Sequence, residues 1–158
     1  MHALLQHLPA VAPAQRAAAA RAWLARPGHG LTDPAAAELA AEVLAVLDHP
    51  DLAPLFGPDS RAEVPLSGVV GETVIGGLVD RLAVLPDRVL IADFKTNRRP
   101  PASPEETPVA YLRQMAAYRA VLAQVFPGRE VRCTLIWTAA GRAMTLADAL
   151  LDPHAPGA

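Results

Sequence analysis

The chain has 158 residues, enough for a sizeable core, and 52% of them are hydrophobic, which excludes a disordered chain. Its formal charge of −2 provides no global basic field for nucleic acid, so a polyanion would have to meet a local patch. The single cysteine, Cys133, excludes an internal disulfide, a cysteine-only zinc site and a self-contained iron–sulfur cluster. No GxxxxGK[ST] loop occurs, so no ATP site of that kind is expected. No signal peptide or membrane span is read, and the expected setting is a reducing cytoplasm with no membrane partner.

In chain order, residues 2–8 read as a short helix. Its apolar pattern starts abruptly, as if the chain were the C-terminal piece of a longer one. Pro13 suits a first helical turn and opens an alanine-rich helix over 13–26, stopped by Pro27-Gly28. Asp33 is expected to N-cap a helix over 34–48, with Pro34 as its first residue. Residues 51–60 read as a turn-rich connection. Strands follow over 61–70, 73–85 and 88–95, with Gly68 and Gly71 marking a turn or bulge. A polar, proline-rich loop over 97–108 leads into a helix over 108–126, which Pro127-Gly128 stops. A continuous apolar strand over 130–138 and a short edge strand over 142–146 complete the pattern. Residues 147–158 read as a turn and a ragged terminus. This order predicts one α/β domain over 1–158 with a mixed sheet: a helical part (1–60), an α/β core (61–146) and a tail (147–158).

The centre of the pattern is the pair of strands around Pro86-Asp87. With that dipeptide as the turn, Leu85 faces Arg88 and Asp80 falls opposite Asp93. Alternation along a strand then gives Asp80, Asp93 and Lys95 a common face. Opposed residues have Cβ atoms about 4.5–5.5 Å apart. Two carboxylates that close, on otherwise apolar strands, need a positive partner. Lys95 supplies one charge, and a divalent cation with oxygen ligands, Mg²⁺ or Mn²⁺, would supply the rest. A buried ion pair without chemistry is the plainer reading, and it leaves one acid unexplained. Lys95 is also the only lysine, the other thirteen of the fourteen basic residues being arginine. A compact ammonium suits a site that a guanidinium would not.

Other candidates are weaker by pattern alone. Glu63 could face the same site or solvent. Tyr111, Gln114, Tyr118 and Val121 form a helical stripe that reads equally as packing. Arg98, Arg99, Arg113 and Arg119 could bind phosphates or be ordinary surface charge. The histidines form no regular ligand motif.

Three segments carry a resemblance: Gly77-Leu78-Val79-Asp80-Arg81-Leu82, then Leu90-Ile91-Ala92-Asp93-Phe94-Lys95-Thr96, then Tyr111-Leu112-Arg113-Gln114-Met115-Ala116-Ala117-Tyr118. In this order they resemble the RecB-like branch of the PD-(D/E)XK nucleases, most closely the C-terminal nuclease domain of AddA-type helicase–nucleases that process double-strand breaks. The likeness runs over almost the whole chain, through Cys133–Thr138. It implies a restriction-endonuclease-like core of αβββαβ order with extra N-terminal helices. It implies a Mg²⁺-dependent deoxyribonuclease, an exonuclease or end-processing enzyme, acting in break repair and recombination. Its expected partners are DNA, as a single strand delivered by a helicase, together with a helicase domain and an AddB-type subunit. The implied metal ligands are His2, Asp80, Asp93 and the Phe94 carbonyl. Lys95 would orient or deprotonate the attacking water, and Gln114 and Tyr118 would complete the catalytic set by positioning the strand. The family's helix begins before His2 and its helicase precedes the domain. A nuclease-fold remnant that binds DNA or a partner without cutting is therefore the rival expectation.

Overall fold

The computed structural model describes residues 1–97 and 99–157. Five strands, β1 (Ser60–Val70), β2 (Thr73–Val84), β3 (Arg88–Lys95), β4 (Glu130–Trp137) and β5 (Arg142–Leu146), form one sheet in sequential order. Only β3 and β4 run parallel. A parallel pair needs a crossover, and the helix α4 (Val109–Val125) supplies it.

Helices cover both faces. Leu112, Met115 and Leu122 of α4 pack against Leu82, Ile91 and Leu135. On the other face, α1 (His2–His7), α2 (Pro13–Leu24) and α3 (Asp33–Leu47) pack on Ala83, Ala92, Phe94 and Ile136. The small side chains of Ala83 and Ala92 let these helices come close to the strands. Burial on both sides explains why β3 reads as an unbroken apolar run. The result is a mixed sheet flanked by helices, a restriction-endonuclease-like α/β fold.

Several expectations move. Helix α3 starts at Asp33, one residue early, and Thr32 is its N-cap without a side-chain cap bond. The Asp33 carboxylate sits in the first turn, where the helix dipole favours it. Gly71, with φ 60°, and Glu72 make the β1–β2 turn, whereas Gly68 lies within β1 under Val121. Residues Pro50–Phe56 form a 3₁₀ helix that buries Leu52 and Leu55. The tail is docked, not ragged, as far as it is described: α5 (Asp148–Leu151) fully buries Leu151. No helix among the described residues is long and apolar enough to cross a membrane.

Candidate active site

The β2–β3 ladder runs from Val84↔Val89 to Arg81↔Ala92, and the Leu85 N–H donates to the Arg88 carbonyl at 2.9 Å to close the turn. One more step would set Asp80 against Asp93, as the sequence predicts. The ladder stops there. The Asp80 carboxylate instead accepts the Phe94 N–H at 2.6 Å. A side chain has replaced the backbone acceptor, so Asp80 reaches across the opening between the strands and not simply up from a face.

The cause lies in a slip of alternation shared by β1 and β2. Arg81 meets Phe56 and the Leu5 carbonyl on the α1–α3 side. Val79, two residues earlier, packs in the α4-side core. In β1, Ala62 lines a cavity with Arg81 and Phe56, whereas Val64 packs on the α4 side. Between these pairs stand Glu63 and Asp80, the one position missing from a register that otherwise runs straight through. Glu63 has φ 52°, the only positive value at a non-glycine among the described residues. Left-handed backbone in a side-chain-bearing residue is strained by about 1–2 kcal/mol. The two strands turn over together at this point, and β2 leaves β3, opening a wedge with the acids at its apex.

Lys95 sits inside that wedge. Its Nζ lies 2.6 Å from Asp93 Oδ2 and 3.0 Å from Gln114 Oε1. It also lies 3.8 Å from the centre of the Tyr111 ring, whose face attracts cations. The Lys95 and Asp93 side chains are only 11% and 8% exposed. Gln114 Nε2 in turn donates to the Tyr118 hydroxyl at 3.3 Å, and that hydroxyl to the Leu78 carbonyl at 3.4 Å. Burial pushes the Asp93 carboxyl above the usual carboxylate range; the Lys95 ammonium opposes this and the Asp80 charge adds to it.

His2 closes the site from α1. Its Nε2 lies 3.5 Å from Asp80 Oδ2, and this contact raises the imidazole pKa against the opposing effect of burial. Helix α1 has six residues, too few to hold itself. Buried Arg81 secures it, donating from Nη2 to the Leu5 and Gln6 carbonyls at 2.5 and 3.1 Å. Neighbouring residues of one strand thus grip the same helix, Asp80 at its start and Arg81 near its end.

The expected residues divide clearly. His2, Asp80, Asp93, Lys95, Gln114 and Tyr118 form one connected set. Arg99 and Arg113 are exposed. Arg119 binds Asp148 and Asp152, fastening the C-terminal turn to α4. Arg98 lies outside the described residues. Cys133 is buried, its thiol pushed up to about 12 by that burial, and stands outside the set. The sequence marks Tyr111 only as part of a helical stripe, not as the ring under the ammonium, and gives no sign of the clamp made by Arg81. Gly77 is also missed, although a glycine inside a strand signals close approach of another group.

Among the described residues no group of three or more His, Cys, Asp or Glu side chains is gathered as a metal site. Asp93 is turned onto Lys95. The donor chemistry nevertheless fits a hard divalent ion. The 3.5 Å between His2 Nε2 and Asp80 Oδ2 is close to the separation of adjacent ligands, about 3 Å for ligands held at about 2.1 Å. In an extended strand the N–H and C=O of one residue share an edge, so the Phe94 carbonyl faces the same opening as its N–H.

A split hairpin bearing Asp80 and Asp-x-Lys, on a mixed sheet crossed by a helix, defines the class of restriction-endonuclease-like nuclease folds. The profile of the PD-(D/E)XK nuclease superfamily matches residues 1–148, and the chain belongs to that superfamily. No curated protein matches the chain.

Proposed function

We propose that this chain is a Mg²⁺- or Mn²⁺-dependent deoxyribonuclease that hydrolyses phosphodiester bonds. The observation that carries this reading is the opening between β2 and β3. There Asp80 and Asp93 meet beside the only lysine of the chain. His2, Asp80, Asp93 and the Phe94 carbonyl are the groups that would hold the ion. A divalent ion so held would polarise a phosphoryl oxygen and lower the pKa of a bound water. Lys95 brings its ammonium into the wedge, where it offsets charge on a pentavalent phosphorus and, with Asp93 turned from it to the ion, orients a water. Tyr111 and α4 shield that ammonium from solvent. Exposed Arg99 and Arg113 offer charge to the phosphate backbone.

The motif order Asp80, Asp93-x-Lys95, Gln114-x-x-x-Tyr118 supports placing the chain with the RecB-like, AddA-type enzymes. Its work is then exonucleolytic or end-processing, on a single strand fed by a helicase, in cytoplasmic break repair alongside an AddB-type subunit. The test is Mg²⁺-dependent cleavage of single-stranded DNA by the parent and by Asp80→Ala, Asp93→Ala and Lys95→Ala. Cleavage by the parent alone supports the reading. A parent that binds DNA without cutting it, and gives no calorimetric heat with Mg²⁺ that Asp80→Asn removes, would identify a non-catalytic binding module. Cleavage by Lys95→Ala at the parent's rate would remove Lys95 from the mechanism.

A further inference from the structure

The Lys95 ammonium has three N–H bonds, and three groups surround it: the Asp93 carboxylate, the Gln114 amide oxygen and the Tyr111 ring. The amide oxygen is useful there only if the amide is turned the right way. Rotated by half a turn, Gln114 would present its NH₂ group to a cation. The Tyr118 hydroxyl decides this orientation. It accepts from Gln114 Nε2 at 3.3 Å and donates its own proton to the Leu78 carbonyl at 3.4 Å. Every donor in the series points away from the ammonium and toward the backbone of β2, so the chain has one sense only.

Gly77 makes that hydroxyl position available. A Cβ at Gly77 would stand 2.2 Å from the Tyr118 oxygen and 2.6 and 2.7 Å from two ring carbons. Tyr118 is buried and cannot simply step aside. The neighbouring glycine differs, because a Cβ at Gly76 would meet nothing within 4 Å. The need for glycine is therefore local to the seat of one hydroxyl, and general strand flexibility does not explain it.

We propose that Gly77, Tyr118 and Gln114 are positioning residues for Lys95, Gly77 by seating the Tyr118 hydroxyl and Tyr118 by fixing the sense of the Gln114 amide. The rate consequence rests on the nuclease reading; the placement of the ammonium does not. Because the chain has one lysine, ¹⁵N-lysine labelling of the 158-residue chain gives a single side-chain signal. Tyr118→Phe, which keeps the ring, and Gly77→Ala should both shift that signal or broaden it through faster ammonium exchange. Gly76→Ala should leave it where the parent has it. If Tyr118→Phe retains the parent's signal, or if Gly76→Ala moves it as far as Gly77→Ala does, the proposal is wrong. Should Gly77→Ala fail to fold, Tyr118→Phe and Gln114→Met still decide it. In DNA cleavage, Tyr118→Phe should lower kcat about 10- to 100-fold with little change in KM. An unchanged kcat overturns the role in the reaction. A parent that cuts no DNA refutes the nuclease reading alone, and leaves the spectroscopic result to judge the placement.

Discussion

The two halves of β2 have opposite surroundings. Beyond Asp80 toward the turn with β3, the strand lies between neighbours and under helices, with Ala83 fully buried and Leu82 9% exposed. Before Asp80 it pairs with β1 alone, and Val74 and Leu78 are 80% and 45% exposed. The inner half is ordinary sheet interior. The outer half is one wing of a two-stranded ribbon, covered on one side by α4. The polar site occupies the seam between them. Backbone groups lose their ladder partners there, and a carboxylate and a phenol hydroxyl take the vacated positions. A fully paired sheet would have no such opening.

The contrast can be broken at its centre. Asp80→Ala removes the acceptor of the Phe94 N–H and one carboxylate; DNA cleavage should fall on the order of 10³-fold or more in steady-state assays. Arg81→Met attacks the inner half. It removes charged hydrogen bonds to two helix carbonyls and should lower stability by about 2–3 kcal/mol in urea denaturation. The same variant should weaken Mg²⁺ binding as much as His2→Ala does, with no further loss in the double variant.

Glu63 tests the reversal of faces. Glu63→Val puts a branched side chain on left-handed backbone and should lose about 1–2 kcal/mol, whereas Glu63→Gly should equal or exceed the parent. Equal losses in both would show that the carboxylate matters and the backbone does not. The Phe94 amide resonance should move in Glu63→Val only. On the outer half, Val74→Thr should change stability by less than about 0.5 kcal/mol.

The smallest effect concerns pH. The folded His2 pKa lies above its unfolded value because of Asp80. Its stabilising contribution is therefore complete below about pH 6.5, the unfolded value, and is lost as pH rises through the folded one. The Tm advantage of the parent over His2→Ala, without metal, should shrink over that rise. An advantage that grew with pH would contradict the contact.

The sequence disclosed the register of this seam but not its shape. Apolar runs on either side of Pro86-Asp87 allow one pairing that buries both, and that pairing sets Asp80 against Asp93. Strict alternation then predicts one common face for the acids, because nothing in the identity of Glu63 announces a left-handed backbone; glutamate seldom adopts it. The roles expected of His2, Gln114 and Tyr118 rest on the resemblance. Their spacing alone is that of any packed helix. Arg81 is hidden by its position next to Asp80, since a strand puts adjacent residues on opposite faces and nothing near it in sequence marks the helix carbonyls it binds. The docked tail was hidden because a four-residue helix has no periodicity to read.

The grip of Arg81 on α1 has a mechanical consequence. The imidazole and the carboxylate it approaches are not carried by independent bodies. One dipeptide of β2 holds both the acid and the anchor of the helix that bears the histidine. A twist of the β1–β2 ribbon would carry the histidine with the acid and change chiefly their distance from Asp93 on β3. The opening between β2 and β3 would then widen or narrow along a single coordinate.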